Sequence, residues 1–196
     1  MHVFDFDKTL TNQDTLFGFY REASRGDVFF GLKRLLLLGC AILYKINIIN
    51  NDQLKQVGVY LFLNGKTKDA IAQAAIAYAQ QMKLNDIYHN NYLSTPPDER
   101  MIISASLEEY LSVVFPQERL LGSSLKYTAG KVSGLKQNMY KQQKATALQA
   151  LNILRIEKVY TDSFSDQPLM EMAKEVALIK NGIIVKQWKP KSSMSD

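Results

Sequence analysis

Two aspartates, Asp5 and Asp7, stand two residues apart at the end of the first apolar stretch, FDFDKTLT, with Thr9 two places further on. At an effective dielectric near 20, two such charges about 4 Å apart repel by on the order of 4 kcal/mol, and a metal ion is the obvious species to offset that cost. Further chemistry-bearing residues recur at intervals along the chain. Ser104 follows the apolar run RMII, Lys141 and Lys144 open the segment KQQK, and Asp162 and Asp166 lie in DSFSD. Brought together, these carboxylates, a hydroxyl and an ammonium would line one crevice suited to a hard cation and a phosphate. Separately the same residues have plainer readings: a loop cap for the Asp pair, a turn serine, exposed helix lysines and an acidic helix N-terminus.

The elements that must bring them together follow from pattern. His2 to Phe6 reads as a short buried strand with the aspartates at its carboxyl end. Helices are expected over 14–24, 28–46, 51–63 and 67–94, the third capped at Asn51 or Asp52 and the last broken near Leu84-Asn85, until Pro96-Pro97 ends the run. Beyond that the pattern alternates. RMIISAS is a strand, LEEYLSVVF a helix, and RLLGSSLKYTAGKVSG a strand–hairpin–strand about Ala129-Gly130. KQQKATALQALNIL is a helix, KVYTDS a strand, DQPLMEMAKE a helix, and VALI and GIIVKQW the last strands, before the sparsely apolar tail KPKSSMSD, expected to be mobile. A β-α-β alternation predicts an α/β fold with a Rossmann-like, three-layer, doubly wound parallel sheet, whose ligand sites lie at strand carboxyl ends.

Order, spacing and strand context together resemble the haloacid dehalogenase superfamily, in its phosphoserine-phosphatase-like branch. DFDKTLT matches that family's first motif, IISAS the second, Lys144 the third and DSFSD the fourth. The resemblance implies a phosphomonoester hydrolase in which Asp5 is the nucleophile that becomes an aspartyl-phosphate and Asp7 the general acid and base. It further implies Mg2+ held by Asp5, Asp162 and the carbonyl of Asp7, with Asp166 behind them. Phosphate would be gripped by Thr9, Ser104 and the Ala105 N–H, with Lys144 (Lys141 being the alternative) supplying charge. The catalytic core would be residues 1–14 and 95–196, and 15–94 an inserted helical cap. Departures bear on the substrate. Ser104-Ala105-Ser106 stands where phosphoserine phosphatases tend to have two glycines after the serine, and Asp14 where they carry a substrate-selecting glutamate. The arginine expected early in their cap is not apparent, so phosphoserine is not the expected substrate. The cap layout also resembles phosphatidylglycerophosphate phosphatases.

Bulk properties narrow the classes. In 196 residues, 24 basic against 19 acidic side chains give a net charge of +5, which suits an anionic substrate but forms no nucleic-acid-binding stripe. One cysteine, Cys40, excludes a disulfide framework and points to a reducing, cytoplasmic compartment, and the acidic start lacks a signal-peptide core. In 28–49, Lys33, Arg34 and Lys45 leave only ten uninterrupted apolar residues, too few for a span of roughly 20. A helix buried in the domain is the expected reading. The sharper alternative is a membrane-peripheral face that receives a lipid-like phosphate. A non-catalytic phosphate binder and a phosphotransferase are the competing functions.

Overall fold

The computed structural model describes residues 1–190. The expectation for the tail falls largely on residues 191–196, outside the described residues. Seven strands form one sheet in the order β4-β3-β2-β1-β5-β6-β7. They are β1 (His2–Phe4), β2 (Arg100–Leu107), β3 (Leu120–Thr128), β4 (Lys131–Gln137), β5 (Ile156–Thr161), β6 (Ala173–Lys180) and β7 (Ile183–Trp188). The five central strands run parallel, and β4 and β7 close the edges as antiparallel hairpin partners. The β3–β4 turn uses Ala129 and Gly130, both at positive φ, which matches the twist of the hairpin.

Among the described residues seven α-helices accompany the sheet: α1 (Leu16–Ala23), α2 (Phe30–Lys45), α3 (Asn51–Phe62), α4 (Lys68–Ala79), α5 (Glu108–Val114), α6 (Gln142–Ala150) and α7 (Gln167–Glu171). Alternation along the strands feeds two cores, because successive side chains point to opposite faces. Phe4 and Ile102 pack with α1, α3, α4 and α5 through Phe19, Phe62, Ile71 and Leu111, while Val3, Met101 and Ile103 pack with α6 and α7 through Leu148 and Leu169. The result is the three-layer, parallel-sheet α/β architecture expected from the β-α-β pattern.

Three local expectations are corrected. The cap of α3 is Asn50, in a reciprocal capping box with Gln53, rather than Asn51 or Asp52. The helix expected through Glu175 ends at Glu171, because Ala173–Lys180 pairs in parallel with β5 from Ile156 onward, and that pairing overrides local helix propensity. The segment expected as a buried helix is not buried: none of the sixteen residues of α2 is, and Leu32, Leu35, Leu36, Leu38 and Ile42 are all more than half exposed. No helix among the described residues is long and apolar enough to cross a membrane.

Candidate active site

β1 is three residues long and sits between β2 and β5, so the peptide after Phe4 emerges at the middle of the sheet edge. The Asp5 N–H still donates to the Tyr160 carbonyl (2.9 Å), which aims the Asp5 side chain out of the ladder. Beyond it the chain turns tightly: the N–H groups of Thr9, Leu10 and Thr11 all point to the Phe6 carbonyl, and Lys8 has φ 55°. Asn85, in the break after α4, clamps this turn. Its amide donates to the Thr9 carbonyl at 2.9 Å, and its backbone N–H donates to the Leu10 carbonyl at 2.9 Å.

Two separate networks grow from this edge. In the first, Lys144 Nζ, from the first turn of α6, donates to Asp5 Oδ1 (2.9 Å) and Asp166 Oδ2 (2.8 Å), and Thr161 Oγ1 also donates to Asp166 Oδ2 (2.8 Å). Lys141 is exposed and lies over the Tyr140 ring, so Lys144 is the lysine that reaches the carboxylates. Burial pushes the Asp5 carboxyl up from the ordinary carboxylate range, and the Lys144 ammonium opposes that rise. In the second network, Thr15 gives Asp7 Oδ1 both its backbone N–H (3.0 Å) and its hydroxyl (2.6 Å), while Ser106 Oγ donates to Oδ2 (2.7 Å). Tyr110 OH lies 2.7 Å from the Thr15 hydroxyl, and Tyr78 OH donates to the Thr15 carbonyl at 2.7 Å. Tyr78 reaches it only because Gly18 has no Cβ; one would collide with the phenol oxygen. Burial pushes the Asp7 carboxyl up to about 6, with Asp14 adding to the rise and the Thr15 and Ser106 hydrogen bonds restraining it.

The loop that could grip a phosphate is irregular. β2 and β3 slip register between Ile103 and Leu107, so Ser104 lies within β2 rather than after it. The Ser106 N–H donates to Ser104 Oγ (3.1 Å), and the Ala105 carbonyl is held by Ser123 Oγ (2.7 Å) and by Lys55 Nζ. Thr9 is fully buried and its hydroxyl has no partner. Asp14 is exposed; with Asp7, Ala105, Lys55, Arg34 and several apolar side chains it lines a cavity of about 490 Å³. Asp162 and Lys8 border a second cavity, of about 450 Å³, on the other side of the turn.

The fit to a metal rests on charge and donor type. Asp5 and Asp166 share the buried ammonium of Lys144, and burial raises the Asp162 carboxyl, with Asp166 adding to the rise. Asp166 Oδ1 is buried without a partner. Among the described residues no three acidic, histidine or cysteine side chains converge to cage a cation. A bound cation would therefore use two carboxylates, a backbone carbonyl and waters. An all-oxygen, partly hydrated set of that kind suits magnesium.

Thr15, Tyr78, Ser106, Tyr110 and Lys55 were not singled out from sequence. A signal existed only for two of them: Ser106 repeats Ser104 at the strand period, and Lys55 lies in a polar stripe of an otherwise apolar helix.

Similarity to known proteins gives the family and the fold. Residues 2–171 match the model of the haloacid dehalogenase-like hydrolases, and the chain belongs to that family. It is therefore a hydrolase by family. No curated protein matches it. A HAD family hydrolase from Salmonella enterica serovar Typhi is similar at TM-score 0.63 and 16% identity over 88% of this chain, which spans only 59% of that protein. A phosphoserine phosphohydrolase-like protein from Francisella tularensis is similar at TM-score 0.63 and 18% identity, covering 90% of this chain and 85% of its own. A phosphoserine phosphatase solved as a phospho-aspartyl intermediate analogue is similar at TM-score 0.59 and 14% identity, covering 90% and 84%. These likenesses show a shared fold.

Proposed function

We propose that the chain is a Mg2+-dependent phosphomonoester hydrolase acting through an aspartyl-phosphate on Asp5. The observation that carries this reading is the division of two neighbouring carboxylates between separate networks. Asp5 is bonded to an ammonium at the strand end, and Asp7 is held by hydroxyls with its carboxyl pushed up to about 6. A pure loop cap would require neither the buried lysine nor the second carboxylate. In the reading, Asp5 attacks phosphorus as the bond to the leaving oxygen breaks, and Asp7 gives that oxygen its proton. Asp7 then takes a proton from water, which attacks the aspartyl-phosphate and frees Asp5. Magnesium, when bound by Asp5, Asp162 and the Asp7 carbonyl, supplies charge neutralisation for the incoming dianion. Asp166 holds Lys144 in place, Thr9, Ser104 and the Ala105 N–H grip phosphate oxygens, and Asp14 meets the rest of the substrate. Residues 15–94 act as a helical cap on a core of 1–14 and 95–196.

The test is phosphate release from a panel of phosphomonoesters with magnesium and with chelator. Release is expected only with magnesium, and Asp5→Asn is expected to abolish it. Substantial turnover by that variant would sink the mechanism. Phosphate passed mainly to an added alcohol would make the enzyme a phosphotransferase, and binding without turnover a phosphate-binding protein.

The exposed face of α2 favours a lipid-like substrate and a membrane-peripheral location. Leu37, Leu38 and Ala41 of α2 wall the 490 Å³ cavity beside Asp7, and the same helix turns Leu32, Leu35, Leu36 and Ile42 outward. Residues 28–51 contain no acid. Lys33 pairs with Asp27, while among the described residues no carboxylate pairs with Arg34 or Lys45. An isologous second copy would oppose those charges to themselves; an anionic lipid surface complements them.

A further inference from the structure

Helix α3 presents a polar stripe to the sheet side. Asn51, Asp52, Lys55 and Gln56, one turn apart, each have a partner there. Asn138 Nδ2 donates to Asn51 Oδ1 (2.8 Å) and Asp52 Oδ1 (2.5 Å), and the Leu135 N–H donates to Gln56 Oε1 (2.9 Å). Lys55 reaches deepest. Its Nζ donates to the Ala105 carbonyl, to Ser123 Oγ (2.9 Å) and to Asn138 Oδ1 (2.7 Å), which uses all three ammonium protons.

All three acceptors are neutral. Among the described residues no carboxylate lies within ion-pair distance of Lys55, although the residue is 7% exposed. Burial lowers its ammonium to about 8, with Asp7 and Asp14 pulling it back up and Lys144 pushing it down. A buried cation without a counter-charge is costly, and fastening a helix to a sheet does not require one. The place of this cation is informative. It lines the cavity that holds Asp7, and it grips the carbonyl of the peptide whose other end, the Ser106 N–H, is bonded to Ser104 Oγ.

We propose that Lys55 is a positioning residue of the phosphate site: brought in on α3, it locks the Ala105 carbonyl, so fixing the Ser104–Ser106 loop, and its charge is balanced by the phosphate held there. This rests on the reading of that loop as the phosphate grip. The site is then complete only when α3 is docked, which ties its assembly to the helical segment between β1 and β2. The plainer role, a buried fastener, predicts a loss of stability and nothing else.

The deciding experiment is calorimetric titration of orthophosphate, with magnesium, into the wild-type protein and Lys55→Met, a change that keeps length and removes charge. Melting curves and circular dichroism would run alongside. Orthophosphate affinity is expected to fall roughly tenfold or more in the folded variant, as loss of a charge-assisted contact does. Unchanged affinity in a folded Lys55→Met overturns the proposal, whatever happens to its melting temperature. Should that variant not fold, Asn138→Ala, which keeps the lysine and removes one acceptor, is expected to weaken orthophosphate a few-fold; no weakening overturns the proposal equally. A wild-type protein that does not bind orthophosphate overturns the reading of the loop as well as the role of Lys55. Binding that Lys55→Met leaves intact removes only the role of Lys55.

Discussion

The 490 Å³ cavity has two walls that meet opposite fates. At the sheet edge the wall is Asp7, held from behind by the buried Thr15 and Ser106, with Tyr110 on the Thr15 hydroxyl and Phe6 and Phe115 packed edge to face at 5.7 Å. Across the cavity, α2 is apolar nearly all round, yet none of its residues is buried. The first wall is specified by the protein's own interior. The second carries leucines that the interior leaves more than half exposed, and the proposed lipid contact is the reading that accounts for them.

The strongest way to break this contrast is to attack the ground of the first wall. Phe6 is 0% exposed, between the two aspartates and under the site. Phe6→Ala should cost about 3–5 kcal/mol, the range for truncating a buried aromatic, in denaturant unfolding. A cost under about 1 kcal/mol would mean that this wall is not rigidly packed.

Lys55 stands between the walls, and its protonation separates cost from benefit. Its ammonium falls to about 8 in the folded chain against 10.5 in the unfolded one, so the unfolded state binds more protons between those values. The wild-type protein should therefore gain stability relative to Lys55→Met as pH rises from 8 to 10.5, by on the order of 3 kcal/mol across the window. Subtracting the variant's curve removes the tyrosines that titrate in the same range. A flat difference would show that the lysine is solvated rather than buried.

What could be read from the sequence follows the distance over which each feature is decided. The strand ending in Asp5 and Asp7, the alternation after Pro96-Pro97, and the strand before Asp162 are local patterns, and the fold class came with them. The break near Asn85 was visible in the helical period, although its use as a clamp on Thr9 and Leu10 was not. Thr15 reaches Asp7, and Tyr110 reaches Thr15, through tertiary packing of α1 and α5, and nothing in their own neighbourhoods marks them. Lys141 and Lys144 could not be separated until α6 had a start. The end of α7 is not legible locally, because parallel pairing with β5, decided elsewhere, claims Ala173 onward. The position of α2 is not legible for a further reason: a helix apolar nearly all round has no broad polar face to say which way it points, so periodicity cannot separate a buried helix from one that faces outward.

The smallest expected change in stability is also the sharpest test of the second wall. Leu35 is 66% exposed and Leu36 is 52% exposed on α2. Replacing both by serine should alter unfolding stability by under about 0.5 kcal/mol each, since neither loses packed neighbours. The same pair should lose most of the chain's sedimentation with vesicles rich in phosphatidylglycerol, while neutral phosphatidylcholine vesicles bind little of either protein. If the wild-type protein ignores anionic vesicles and elutes as a dimer that the double substitution dissociates, the face belongs to a second copy. If the substitutions cost several kcal/mol, the leucines are core after all, and the contrast between the two walls disappears.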